Sequence, residues 1–192
     1  MSEPMRTPAP DAALFPVAVR DMGAGDIDRV SEIRVRGWQS AYRGLLPDSH
    51  LDALSVAEDA GQRRALFARS GPAVVNLVAE QGGTVVGWAA HGPCRDGEVR
   101  TADAELYAIY VHPEHLGRGV GRALLQESVR RAGALGHPRM YLWVLKGNVA
   151  ARRFYERAGF GADGAEEAFE VDGVAAPEVR YRADLPAGPG RG

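Results

Sequence analysis

Residues Val111 to Leu125 read VHPEHLGRGVGRALL, so that a β-rich run (ELYAIYV, Glu105 to Val111) enters a turn with glycines at three alternating positions and leaves it as an amphipathic helix. Gly117, Gly119 and Gly121 allow a backbone path and a close approach that side chains would block. The helix that follows presents its first free N–H groups, around Val120 to Ala123, together with the positive end of its macrodipole. Arg118 and Arg122 add charge-assisted donors. The segment reads as an anion cradle, with a pyrophosphate as its natural guest.

Other Gly-rich readings fit less well. A dinucleotide fingerprint requires G-x-G-x-x-G at the first βα turn and an acidic residue about 20 positions later. Here the spacing is G-x-G-x-G, the turn is mid-chain, and Arg139 to Leu145 contains no acid. A phosphate-binding P-loop requires Lys-Ser/Thr after its last glycine, which is absent. A plain strand-to-helix turn would not need three alternating glycines.

The cradle must be local, because the net charge of -2 over 192 residues gives no general attraction to nucleic acid or an anionic membrane. Neither partner is expected. No apolar run is long enough to span a bilayer, and the N-terminus lacks the pattern of an export signal. A single cysteine, Cys94, excludes an intrachain disulfide and fits a reducing cytoplasm. His91, His112 and His115 read as loop residues without metal-ligand spacing, so no metal is expected.

Hydrophobic periodicity predicts one domain over residues 16–186, with mobile tails at 1–15, which is proline-rich, and at 187–192, which is rich in glycine. The predicted order is strand (Val17 to Arg20), helix (Asp26 to Tyr42), helix (Val56 to Ala68), and a hairpin of Ala73 to Glu80 with Thr84 to Ala90 around Gln81-Gly82-Gly83. The strand Glu105 to Val111 follows, with strict alternation placing Glu105, Tyr107, Ile109 and Val111 on one face. Then come the helix Val120 to Leu135, the strand Met140 to Leu145, a helix from Asn148 to Ala158, and a closing hairpin of Glu167 to Val171 with Glu178 to Arg182 around Asp172-Gly173. The fold class is mixed α/β, with a mainly antiparallel central sheet flanked by about four helices.

The cradle resembles the acyl-CoA-binding motif of the GNAT N-acetyltransferases, Q/R-x-x-G-x-G/A. The segment from Asn148, NVAARRFYERAGF, is similar to the same family's Asn, aromatic-Tyr and Gly-Phe signature. The match runs from about Glu105 to Phe160. One position departs from the pattern, Leu116 standing where the family has Gln or Arg.

The resemblance implies the GNAT fold, acetyl-CoA as cosubstrate, and direct transfer of an acetyl group to a primary amine of a small molecule or peptide. It implies that the strand carrying Ile109 and Val111 binds the pantetheine arm, with Asn148 adding a hydrogen bond. Gly117, Arg118, Gly119, Val120, Gly121 and Arg122 would hold the pyrophosphate. Glu105 would take the amine proton through water, and Tyr155, a phenol protonated at neutral pH, would protonate the departing thiolate. The acceptor would enter between Trp38 to Leu54 and the closing hairpin, near Asp48, Asp52, Asp103, Glu105, Glu166 and Glu167, an acidic vicinity suited to a cationic amine. Two alternatives stay open: a non-catalytic acyl-CoA-binding sensor, and homodimerisation through exposed strand edges.

Overall fold

The computed structural model describes residues 15–96 and 99–186, so the predicted tails lie outside the described residues except for Phe15. Seven strands form one sheet in the order β1-β2-β3-β4-β5-β7-β6. The strands are β1 (Ala18–Asp21), β2 (Val75–Gln81), β3 (Thr84–Asp96), β4 (Val99–Val111), β5 (Arg139–Leu145), β6 (Gly161–Val171) and β7 (Val174–Asp184). Five helices accompany them: α1 (Ile27–Ala41), α2 (Asp48–Ala53), α3 (Val56–Arg69), α4 (Val120–Ala134) and α5 (Val149–Arg157). All neighbouring strands are antiparallel except β4 and β5, which α4 joins as a parallel crossover.

The predicted architecture holds, with one more helix than expected. The additional element is α2, six residues whose position comes from tertiary contacts: Leu51 is fully buried and its carbonyl accepts the Gln39 amide N–H at 3.0 Å. β3 and β4 also run further than apolar alternation suggests, pairing through Arg95 and Arg100 despite Pro93 and the charged residues beyond it. Asp26 precedes α1, but its carboxylate serves the Gly23 N–H at 2.8 Å and Arg20 at 2.7 Å instead of capping the helix.

The sheet separates two apolar layers. On one side, α4, α5 and the turn after α5 pack Leu124, Leu125, Ala132, Tyr155 and Phe160 against Leu77, Leu106, Met140, Leu142 and Tyr181. On the other, α1 and α3 cover Val78, Val85, Trp88 and Ala90 with Ile27, Val30, Ile33 and Ala60, and Leu46 and Leu51 join Leu145, Val171 and Ala176 under the closing hairpin. Burial of these side chains drives assembly at about 25 cal/mol per Å² of apolar surface. Among the described residues no helix is long and apolar enough to cross a membrane.

His91 is not on a loop as its local sequence suggested. It is a β3 residue, 1% exposed, and neither ring nitrogen has a hydrogen-bond partner among the described residues.

Candidate active site

The site is set by an interruption in the sheet. β4 and β5 pair only at Ala104↔Met140 and Glu105↔Tyr141. β4 continues to Val111 paired to β3, and β5 continues to Leu145 paired to β7, so beyond Glu105 the facing edges part into a wedge. A parting edge leaves backbone N–H and C=O groups free for an extended ligand to bind as an added strand.

The parting begins at a β-bulge. Between the pairs His91↔Leu106 and Ala90↔Ala108 the register slips, leaving Tyr107 as the extra residue. A bulge resets alternation, which corrects the strict alternation expected of β4. Ile109 and Val111 face the α4 layer together with Leu106, whereas Tyr107, Ala108 and Tyr110 face the α1 layer. Glu105 opens toward the α1 side, onto a cavity it shares with Tyr107 and Tyr110. The expectation that Glu105 shares a face with Ile109 and Val111 is therefore overturned.

The glycine cradle lies at the mouth of the wedge. Gly117 and Gly119 have φ of 75° and 83°, in the left-handed region that favours glycine, and a Cβ at either would project into open space. Gly119 is the N-cap of α4 and supplies no side-chain cap, so the first N–H groups of that helix remain available. Val120 is buried and anchors the turn, while Gly121 packs near Phe154 and Val111. Arg118 and Arg122 are exposed and make no ion pair among the described residues. Leu116, 59% exposed, offers an apolar side chain beside them.

Asn148 caps α5, its Oδ1 accepting the Ala151 N–H at 3.1 Å, and Gly159 ends that helix region at φ 90°. This local chemistry holds Tyr155 in the α4 layer, 8% exposed, with its ring edge-on to Phe154 at 5.2 Å and to Phe160 at 6.2 Å. Burial first, and the nearby Tyr110 second, push the Tyr155 phenol above the usual tyrosine range. Tyr155 and Tyr110 belong to opposite layers, so their electrostatic contact crosses the sheet where β4 and β5 have parted.

On the α1 side the wedge opens into a cavity of about 200 Å³. Its walls are Trp38, Tyr42, Tyr107, Tyr110, Trp143 and Phe169, with Glu105 and Glu178 as its two carboxylates. The Trp38 indole N–H donates to the Tyr110 hydroxyl at 2.8 Å, and the Tyr42 and Tyr110 hydroxyls are 3.4 Å apart. Trp38 and Tyr42 therefore line a wall as well as packing together edge-on at 5.1 Å. Burial and Tyr110 push the Tyr42 phenol upward too.

Of the acids expected near the acceptor, the structure brings only Glu105 to the cavity wall, where its carboxylate accepts the Arg95 N–H at 3.0 Å. Asp48 and Asp52 pair with Arg43, Asp103 with Arg139, and Glu166 with Lys146. The second cavity carboxylate, Glu178, had not been singled out. Its signal was present in the hairpin reading: with Asp172-Gly173 as the turn, Glu178 falls directly opposite Glu167, a like-charge pair that sheets ordinarily avoid. Burial and Glu167 together push the Glu178 carboxyl up to about 7. Among the described residues no group of three or more His, Cys, Asp or Glu side chains is placed to hold a metal ion.

Comparison with known proteins agrees with this geometry. The chain is 32% identical over 165 residues to the uncharacterised N-acetyltransferase YuaI of Bacillus subtilis (strain 168), covering 85% of this chain and 90% of YuaI. It is 35% identical over 105 residues to the L-amino acid N-acyltransferase MnaT of Escherichia coli (strain K12), covering 53% of this chain and 59% of MnaT. The structure of YncA from Salmonella typhimurium, solved with its cofactor acetyl-CoA, superposes with a TM-score of 0.67 at 22% identity, over 88% of this chain and 94% of that one. Residues 34–160 match the model of the acetyltransferase (GNAT) family, from the second half of α1 through the wedge and the cradle to the end of α5. The chain belongs to the acetyltransferase (GNAT) family.

Proposed function

We propose that this enzyme transfers the acetyl group of acetyl-CoA directly to a primary amine of a small molecule or peptide, in the cytoplasm. The observation that carries the reading is the wedge between β4 and β5, which opens beside an uncapped glycine cradle and leads to an aromatic cavity with two carboxylates.

The residues present fit acetyl-CoA. Gly117, Gly119 and Gly121 leave room for a phosphate against the first turn of α4, where Val120 fixes the backbone and Arg118 and Arg122 supply positive charge. The open β4 edge at Ile109 and Val111 offers backbone partners to an amide-bearing arm, and Asn148, which follows β5 and caps α5 through Oδ1, offers its amide N–H groups to the same arm. The cosubstrate supplies an activated acetyl group; positioning and proton movement fall to the protein. Two relatives support the assignment by name, one an N-acetyltransferase and one an amino acid N-acyltransferase.

Proton transfer is divided between the two layers. Glu105, on the α1 side, draws the acceptor ammonium toward the wedge and leads a proton from it through water. Tyr155, on the α4 side, donates its phenolic proton to the departing sulfur. A phenol raised by burial stays protonated throughout the physiological range, so it is available as an acid and never competes as a base.

The test is thiol release from acetyl-CoA across a panel of primary amines, with calorimetric binding of acetyl-CoA in parallel. Amine-dependent release supports the assignment. Binding without release for every amine favours a sensor of acyl-CoA, and absence of binding removes the cradle from consideration.

A further inference from the structure

We propose that Glu178 is a second catalytic carboxylate of this site, one that binds the acceptor's ammonium group and receives the first of the two protons it must lose. The inference rests on the acetyl-transfer reading and names the chemistry of the acceptor: a cationic amine carried on an apolar or aromatic body.

Position is the first argument. Glu178 belongs to β7 and is paired to Leu145, the last residue of β5, at the open end of the wedge. It lines the same cavity as Glu105, which β4 contributes from the other side of the opening. Between them the walls are the rings of Trp38, Tyr107, Tyr110 and Trp143, which take up the acceptor's apolar body through area; Arg34, Arg95 and Arg180 already lie over Trp38, Tyr107 and Trp143, so the ammonium is left to the carboxylates.

Availability is the second. No hydrogen bond or ion pair among the described residues engages the Glu178 carboxylate, although it is half-buried. The cations on adjoining positions are committed, Lys146 to Glu166 and Arg180 to Asp163. The ionisable groups acting on it are Glu167 from β6, directly opposite, and Tyr42 from α1; Glu105 and Tyr110 from β4 share its cavity. None compensates its charge. A carboxylate left unpaired beside another carboxylate is unfavourable in the empty site and is relieved by an incoming cation.

Proton bookkeeping gives the two acids separate tasks. An ammonium becomes an amide nitrogen by losing two protons. The first must leave before the nitrogen can attack the acetyl carbon, and it goes to Glu178. A carboxyl raised to about 7 is closer to an amine of pKa about 10 than an ordinary carboxyl of about 4.3 is. The second leaves as the C–N bond is secured and the C–S bond breaks, moving through water toward Glu105. The sulfur takes the Tyr155 proton, which solvent then restores, so that one proton ends on the thiol and one is released.

The experiment is the pH profile of kcat/KM, from pH 5.5 to 9, with an arylalkylamine such as phenethylamine for wild type, Glu178→Gln, Glu105→Gln and Glu167→Gln. Calorimetric phenethylamine binding over the same range and acetyl-CoA binding are measured alongside. Wild type is expected to gain activity as pH rises through about 7. Glu178→Gln should lose that limb and about 10²-fold or more in kcat/KM, bind phenethylamine at least tenfold more weakly, and keep its acetyl-CoA affinity. Glu105→Gln should keep the limb at a lower rate. Glu167→Gln should move the limb to lower pH, because it removes a repulsive charge. A Glu178→Gln enzyme with the wild-type limb and amine affinity overturns the proposal. If Glu178→Gln does not fold, an unmoved limb in Glu167→Gln overturns it instead. If wild type binds acetyl-CoA but acetylates no amine, the transfer reading fails, and unchanged phenethylamine binding in Glu178→Gln would then reject the carboxylate's role as well.

Discussion

Gly87 of β3 lies directly under Val120 at the start of α4: a Cβ on Gly87 would come within 2.8 Å of Val120 Cγ1 and 2.9 Å of Leu124 Cδ1. The position of the cradle is thus set by the absence of a side chain on a neighbouring strand. Gly87→Val should overpack this contact, lowering stability by about 1–3 kcal/mol and weakening acetyl-CoA binding by displacing the first turn of α4. Urea denaturation and calorimetry would check both effects; normal affinity in a destabilised variant would show that the cradle does not depend on this contact.

The cradle itself is tested at Gly119, whose φ of 83° a β-branched residue would not adopt without strain. Because a Cβ there meets open space, Gly119→Val should cost the protein little packing. It should abolish acetyl-CoA binding in calorimetry, since the side chain would fill the approach to the helix N-terminus. Retained affinity would remove Gly119 from the binding site.

Tyr155→Phe removes one oxygen from a ring held by Phe154 and Phe160. Packing should survive, and acetyl-CoA affinity with it. Turnover should fall by about ten- to a thousand-fold, the range of a general acid. Steady-state kinetics beside a binding isotherm separates the two, and unchanged kcat would show that the thiolate takes its proton elsewhere.

His91 predicts an acid limit to stability. Burial, followed by the charges of Arg131 and His137, lowers its pKa to about 4, against about 6.5 in the unfolded chain. The folded form therefore binds fewer protons between those values, and stability present above pH 6.5 is lost as pH falls toward 4, by on the order of 3 kcal/mol. His91→Leu should flatten that loss. Urea midpoints measured at pH 7.5, 5.5 and 4.5 for both proteins give the comparison, and parallel curves would show that other groups govern acid unfolding.

Features governed by local chemistry were legible in the sequence. The glycine turn before Val120, the Asn148 cap, the left-handed Gly159 and the Asp172-Gly173 hairpin each depend on a few consecutive residues, and each is found where its pattern places it. The bulge at Tyr107 was not legible, because it arises from a slip against β3 and nothing in ELYAIYV announces it. α2 depends on Gln39 and on burial of Leu51, both matters of tertiary position. Glu178 falls between these cases. Its opposition to Glu167 followed from the hairpin register, but its proximity to Glu105 required knowing that β7 lies beside β5.

The two residue pairs that join β4 to β5 have a mechanical meaning. The sheet is two plates, β1 to β4 and β5 with β7 and β6, joined along a short seam and held otherwise by the helices that pack across it. A cosubstrate lying along the open edges would act as the missing strand and splice the plates into one cooperative unit. Amide hydrogen exchange in β5 would then slow along with that in β4 on binding, and the enzyme would be stiffest when loaded for transfer.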